Sequence, residues 1–261
     1  MTSFFLYIQK NLALRSLFLS QFIKLISKRY QYSYLGFLWV LISPLTQIAI
    51  YSLIIPLIMT NRPENYVLYL VPGISLFGFF SSCVSGPTDF YKQRGFFKKM
   101  DVPKLIFVLS ATASYLFNMI IVLTALHFLL AILGVDLHTN LIYLVIGIVL
   151  LYLFGLGLFL ILSIMSPYLK DLRNITQPIL NIFFFGSPIL YEISKFNNPE
   201  ALKYMMFNPL YHYLEIFHQS VYEGSMINFN NLIVPTTLSI ILPLTGLILL
   251  YKFDKKINII L

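Results

Sequence analysis

The sequence predicts an all-α integral membrane protein with six transmembrane helices. An N-terminal amphipathic interface helix precedes them, and a re-entrant or amphipathic segment comes before the last. Three observations predict it. The 261 residues are 58% hydrophobic and only 11% charged, with a mean hydropathy of +0.81. A soluble domain of this size needs about a quarter of its residues charged to cover its surface. Second, the stretches 30–61, 65–88, 105–135, 137–169, 174–191 and 224–251 contain no Asp, Glu, Lys or Arg. A helix needs roughly 20 apolar residues to cross the hydrocarbon core, and all six stretches approach or exceed that length. Third, the basic residues are one-sided. With both ends and the second and fourth loops cytoplasmic, all 18 Lys and Arg except Arg62, Lys195 and Lys203 lie on that side. That is the positive-inside pattern. It accounts for the net charge of +8 through anionic lipid headgroups, with no nucleic acid required.

The elements follow in order. Residues 1–30 are too polar and basic for a short cleavable signal and form the interface helix. Leu19, Phe22, Ile23, Ile26 and Tyr30 share one helical face, and Ser20, Gln21, Lys24, Ser27 and Lys28 the opposite one. From Lys28 to Trp39 the chain then passes from charge, through aromatics, into an apolar run. A helix lying on a membrane and then entering it needs that order. Residues 31–251 make the transmembrane domain, with spans near 34–60, 66–87, 105–134, 141–166, 174–191 and 232–251. The fifth holds Pro178, Gly186 and Pro188, which predicts a kinked helix ending in a turn. Between spans lie a cytoplasmic coupling loop, 88–104, and an outside segment, 192–231; a cytoplasmic tail, 252–261, closes the chain. In the outside segment Leu210, Leu214, Phe217 and Val221 recur at helical spacing, as in a helix half-embedded at the outer interface.

Several function classes are disfavoured. Ion-coupled carriers place charged relay groups inside the membrane, and these stretches hold none. His127 is read as satisfied or interface-facing, and Cys83 as a small buried hydrophobe. No G-x-x-x-x-G-K-[ST] loop is present, so energy for uphill transport has to come from another polypeptide. His212, Glu215 and His218 form an H-x-x-E-x-x-H run, but the second His is rotated about 240° from the first, too far for a compact site on one helix. No catalytic, cofactor or metal residues are assigned.

Three blocks carry the specific signal: Arg29-Tyr30-x-x-Ser33-x-Leu35-Gly36-x-x-Trp39 with Ser43-Pro44-Leu45; Ser166-Pro167-Tyr168-Leu169-Lys170-Asp171-Leu172-Arg173 continuing to Phe183-Phe184-Phe185-Gly186-Ser187-Pro188-Ile189-Leu190-Tyr191; and Asn208-Pro209-Leu210. In this order and register they resemble the permease subunit of the type-2 ABC exporters of polysaccharides and polyol phosphates. The O-antigen and teichoic acid export permeases match best. Capsule-export permeases usually differ at Tyr30-Gln31-Tyr32-Ser33.

The resemblance implies a homodimer in the bacterial cytoplasmic membrane, bound to two copies of an ATPase subunit that holds the ATP and Mg. It implies an undecaprenyl-pyrophosphate-linked glycan as substrate, with O-antigen the first expectation. Residues 10–30 and 88–103 match the ATPase-contacting parts, with Asp89, Phe90, Tyr91, Arg94, Phe96 and Phe97 as coupling residues. Lys28, Arg29, Lys170 and Arg173 would meet the pyrophosphate. Tyr30, Ser33, Tyr34, Phe37, Trp39, Phe183, Phe184, Phe185 and Tyr191 would lie along the path or its gate. Spans one and five would separate from their dimer mates, bending at Pro44 and Pro178. Alternatives are a teichoic acid or capsule permease, a drug or lipid ABC permease, and a polytopic membrane glycosyltransferase built around Lys170-Asp171-Arg173.

Overall fold

The computed structural model describes residues 14–30, 34–59, 63–90, 104–169, 171–192 and 199–260. Among these there is no strand. The helices are α1 (Arg15–Tyr30), α2 (Trp39–Ile58), α3 (Tyr66–Phe90), α4 (Lys104–Ile132), α5 (Leu141–Met165), α6 (Leu172–Phe185), α7 (Pro199–Met206), α8 (Pro209–Phe217) and α9 (Phe229–Ile260). A 3-10 turn, Gly36–Leu38, precedes α2, and a π turn, His218–Glu223, follows α8. The long helices continue through Pro44, Pro56, Pro72, Pro87, Pro235 and Pro243. Membrane helices tolerate such breaks because neighbours re-satisfy the freed backbone groups.

Among the described residues, five helices are long and apolar enough to cross a membrane: Gly36–Ile58, Tyr66–Thr88, Lys104–Ile132, Leu141–Met165 and Phe229–Phe253. The predicted stretch 174–191 instead carries α6, 14 residues long, ending at Gly186. At 1.5 Å per residue that is about 21 Å of helix, short of a full crossing. Gly186 N donates to Ile182 O as the last bond of this helix, and the chain then turns at Ser187 and Pro188.

The first core gathers α3, the middle of α5, the end of α6 and α8, around Phe79, Phe80, Phe154, Phe184, Leu210 and Tyr213. A second core lies where α4 begins and α5 ends, with Leu105, Phe107 and Val108 against Phe159, Leu160, Ile164 and Leu250 of α9. Cys83 is fully buried in the first. Near the other end of α4, His127 Nε2 lies 3.4 Å from Thr139 Oγ1.

One end of the bundle is tied by tyrosines. Tyr66 donates to Leu190 O (2.7 Å), and the Tyr69 hydroxyl is shared between Pro188 O and Tyr191 O (both 2.8 Å). These bonds bring the chain after α6 to the start of α3. At the same end Asn140 N donates to Ser220 O (2.8 Å), joining the start of α5 to the π turn.

Segment 199–223 dips into the bundle from that end. Tyr213 packs its ring on Phe154 at 4.8 Å, thirteen residues into α5 and so roughly 20 Å along it. Ile216 and Phe217 lie against Gly147, and Ser220 is back at Asn140. Leu210, Leu214, Phe217 and Val221 are fully buried, but so are Tyr213 and Ile216 on other faces. The stripe therefore packs within the protein instead of floating half-embedded. A periodic apolar face does not distinguish a lipid neighbour from a helix neighbour.

Helix α1 differs from its predicted faces in the same way. It lies along α4, with Phe18 stacked on Phe22 and Phe22 edge-on to Phe117 at 5.8 Å. Ser110 Oγ donates to Phe18 O (3.2 Å). Gln21, assigned to the polar face, is buried, whereas Leu19 and Ile23 are exposed. The face that packs on α4 is thus not the one the spacing predicts.

Candidate functional site

Among the described residues, α2 and α6 expose polar and aromatic groups beside apolar ones. Gly36, between α1 and α2, has φ +48°, and a Cβ built on it meets nothing within 4 Å. Conformation, not crowding, is what favours glycine at this turn. Beyond it Tyr34 is fully exposed, and Phe37 and Trp39 keep about half their surface free. Further along α2, Ser43, Thr46 and Gln47 are exposed at positions where the flanking residues are apolar.

Helix α6 has three faces. Thr176, Leu180 and Phe184 are buried. Ile175, Ile179 and Ile182 form an exposed apolar ridge. Asn174, Gln177 and Asn181, at helical spacing, form an exposed amide stripe that ends at Phe185. Within it Gln177 Nε2 donates to Asn181 Oδ1 (3.1 Å). The three consecutive phenylalanines are divided among these surroundings. Phe183 packs edge-on to Phe80 at 5.3 Å, and Phe184 sits between Phe77 (4.9 Å) and Tyr51 (5.8 Å). Phe185 is 64% exposed. Tyr191 donates to Phe185 O (2.7 Å), folding the chain after α6 back over its end.

Asn208 is the joint between α6 and α8. Its Nδ2 donates to Gly186 O (2.9 Å) and Ser187 Oγ (2.8 Å), while its Oδ1 caps α8 by accepting from Leu210 N (3.0 Å). Pro209 follows at the first helical position, where no donor is lost. Below it, Tyr213 donates to Pro235 O (3.0 Å) and pairs with Ser239 Oγ (2.8 Å), and Ser239 donates to Leu150 O (2.6 Å). One phenol thus links α8, α9 and α5.

Arg173 is exposed at the start of α6. Lys28, Arg29 and Tyr30 end α1, and Asp89 and Phe90 end α3, as backbone only. Ser33, Tyr91, Arg94, Phe96, Phe97 and Lys170 lie outside the described residues. The structure brings Phe183, Phe184 and Tyr191 together with α3; Tyr34 and Phe37 precede α2, and Trp39 begins it.

The two histidines of the H-x-x-E-x-x-H run point to different neighbours. His212 Nε2 is 3.0 Å from Met206 O, and His218 stacks on Tyr69 with centroids 4.1 Å apart. Among the described residues no group of three or more His, Cys, Asp or Glu could hold a metal ion. Tyr222 donates to Glu64 O (2.6 Å). Burial, then Glu192, Glu64 and Glu223, push its phenol up, so it stays protonated as a donor.

Sequence reasoning missed the amides of α6 and α2, although Asn174, Gln177 and Asn181 share helical spacing, as do Ser43 and Gln47. That signal was legible. The role of Asn208 and the link through Tyr213 were not, because their partners are far away in sequence.

A family model described as ABC-2 type transporter matches residues 16–222. The chain is 24% identical over 230 residues to an O-antigen export system permease protein RfbA of Myxococcus xanthus, covering 87% of this chain and 88% of that protein. It is 25% identical over 234 residues to a protein of the same name from Klebsiella pneumoniae, with the same coverage of each.

Proposed function

Since the chain belongs to the ABC-2 type transporter family, we propose that it is the permease subunit of an O-antigen exporter, driven by a separate ATPase. The likeness to O-antigen export permeases over most of both chains supports this reading. The observation that carries it is the exposed amide stripe Asn174, Gln177 and Asn181 on a helix set among membrane spans. An amide facing hydrocarbon without a partner costs several kcal/mol, roughly 2–7 depending on reference. Gln177 and Asn181 satisfy one donor and one acceptor between them; the remaining amide groups favour a water-filled passage, and the isoleucine ridge beside them suits a second copy of the chain.

In this reading α6, with the chain to Tyr191, is a short fifth crossing, which makes six and leaves both termini in the cytoplasm. The bacterial inner membrane is the site, and α7 with α8 forms a plug that enters from the outside. Lys28, Arg29, Lys170 and Arg173 gather at the cytoplasmic face to meet the carrier pyrophosphate. Arg is the stronger partner, because its planar fork binds two phosphate oxygens. Tyr34, Phe37, Trp39 and Phe185 offer ring faces to sugar, while Phe183 and Phe184 hold α6 on α3. ATP and Mg sit in the ATPase, which pushes on α1 and on Asp89–Phe97.

The test is surface glycan in a permease-deleted host. Arg29→Ala should lower export about tenfold or more, the loss of a charge-assisted bond of about 1.5–3 kcal/mol. The Phe96→Ala/Phe97→Ala pair should uncouple ATP hydrolysis from export. Normal surface glycan at normal protein levels would remove both roles. Teichoic acid or capsule on the surface in place of O-antigen would reassign the substrate and leave the architecture intact.

A further inference from the structure

A cleft of about 320 Å³ opens between α2, α3 and α4, away from the face of α3 that holds α6. Its walls include Trp39, Ser43 and Gln47 of α2, Ser75 and Ser82 of α3, and Asn118 of α4. Among the described residues, no Asp, Glu, Lys, Arg or His lines it. Gln47 is eight residues into α2, roughly 12 Å along a helix that crosses a core about 30 Å thick. Gln47 therefore lies well inside the span, and Trp39 at its start.

The groups are arranged for hydroxyls. Ser75 donates its proton to Val71 O (2.7 Å) and Ser82 donates to Gly78 O (2.8 Å). With those protons committed, both oxygens present lone pairs and act as acceptors. Gln47 and Asn118 carry amides, which donate and accept. Trp39, about half exposed, supplies an aromatic face to the same cleft. Gly78 is the opening. It is exposed in a helix that is otherwise largely buried, and a Cβ built on it meets nothing within 4 Å.

We propose that this cleft is a saccharide subsite within a single protomer, taking uncharged, hydroxyl-bearing sugar rings of the exported glycan. The inference rests on the export reading above and adds to it where the sugar is held and which part of the substrate is excluded. Hydroxyl acceptors, amides and the Trp39 ring match a sugar's alternating hydroxyl and C–H surfaces. The same walls reject the pyrophosphate, which has no cation to neutralise it there. An acyl chain would set the exposed Gln47 amide against hydrocarbon, which is unfavourable. The volume is at the lower end of the about 300–1,000 Å³ of small-ligand pockets, enough for a short piece of chain in passage.

The experiment uses the full transporter in its host, with the host's own lipid-linked glycan as probe. Gly78→Leu fills the cleft and should lower surface glycan at least tenfold. Gln47→Leu keeps the volume and removes the amide, and should lower export several-fold. In a Cys83→Ala background, Gly78→Cys is labelled with a methanethiosulfonate reagent in membranes. Labelling should slow at least fivefold when the host makes glycan and the ATPase is held by a hydrolysis-blocking substitution, compared with a host unable to start the glycan. The labelling result decides the matter if Gly78→Leu fails to accumulate. Normal export by Gly78→Leu, equal labelling rates with and without glycan, or a disulfide between two copies through Gly78→Cys would each overturn the subsite. If wild-type chain itself restores no surface glycan to a permease-deleted host, the export reading fails first, and the subsite with it.

Discussion

Helices α2 and α3 are both long, apolar and broken by two prolines, yet the fold treats them oppositely. Within this chain 67% of the α3 span is buried, against 11% of the α2 span. Helix α3 anchors: Tyr66 and Tyr69 hold the chain after α6, Phe77 and Phe80 receive its phenylalanines, and Phe79 fills the first core. Helix α2 buries only Val40 and Ile48. The difference separates a fixed frame from the parts able to move. A span with few contacts in its own chain shifts at little cost, whereas a close-packed one transmits strain.

The sharpest way to break that comparison is to crowd the frame. At Gly157, where α5 crosses α9, a Cβ would lie 2.5 Å from Leu242 C and 2.6 Å from Pro243 N. Backbone atoms do not give way as a side chain does. Gly157→Leu should cost about 3 kcal/mol or more, read as loss of folded protein and of thermal stability in detergent. A folded, active variant would show that the frame is looser than its packing. Tyr213→Phe keeps the ring on Phe154 and removes the hydroxyl that joins Pro235 O and Ser239 Oγ. It should cost about 1–3 kcal/mol by stranding buried polar atoms, again read by thermal unfolding. The smallest effect belongs to α2. Leu57 is 86% exposed, so Leu57→Ala should change the folding stability of the chain by no more than about 0.5 kcal/mol. A larger loss that also shifts the molecule toward monomer on sizing would show that a second copy covers this face.

Much of the architecture was legible in the residues. A run without charge long enough to cross a bilayer has few other stable uses, so the stretches around 66–87, 105–134 and 141–166 lie close to α3, α4 and α5. Less legible was α6. Its charge-free run is the length of a short span, but the helix ends at Phe185 and Asn208 secures that end from a segment 21 residues on. The faces of α1 and α8 were unreadable for a different reason. Apolar spacing reports that a face avoids water, and lipid and protein satisfy it equally. Gln21 is buried against α4 while Leu19 and Ile23 stay exposed, the reverse of a simple amphipathic reading.

The sequence by itself determined the class of this protein, the length of most of its helices and, through three blocks in register, its family. Those properties depend on local composition and spacing, which the bilayer reads directly. Only the tertiary structure decided which apolar helices form the frame and which are left open, where the three phenylalanines of α6 point, and that α2, α3 and α4 enclose a neutral polar cleft. These depend on contacts between residues far apart in the chain, and hydrophobicity specifies burial without naming the partner.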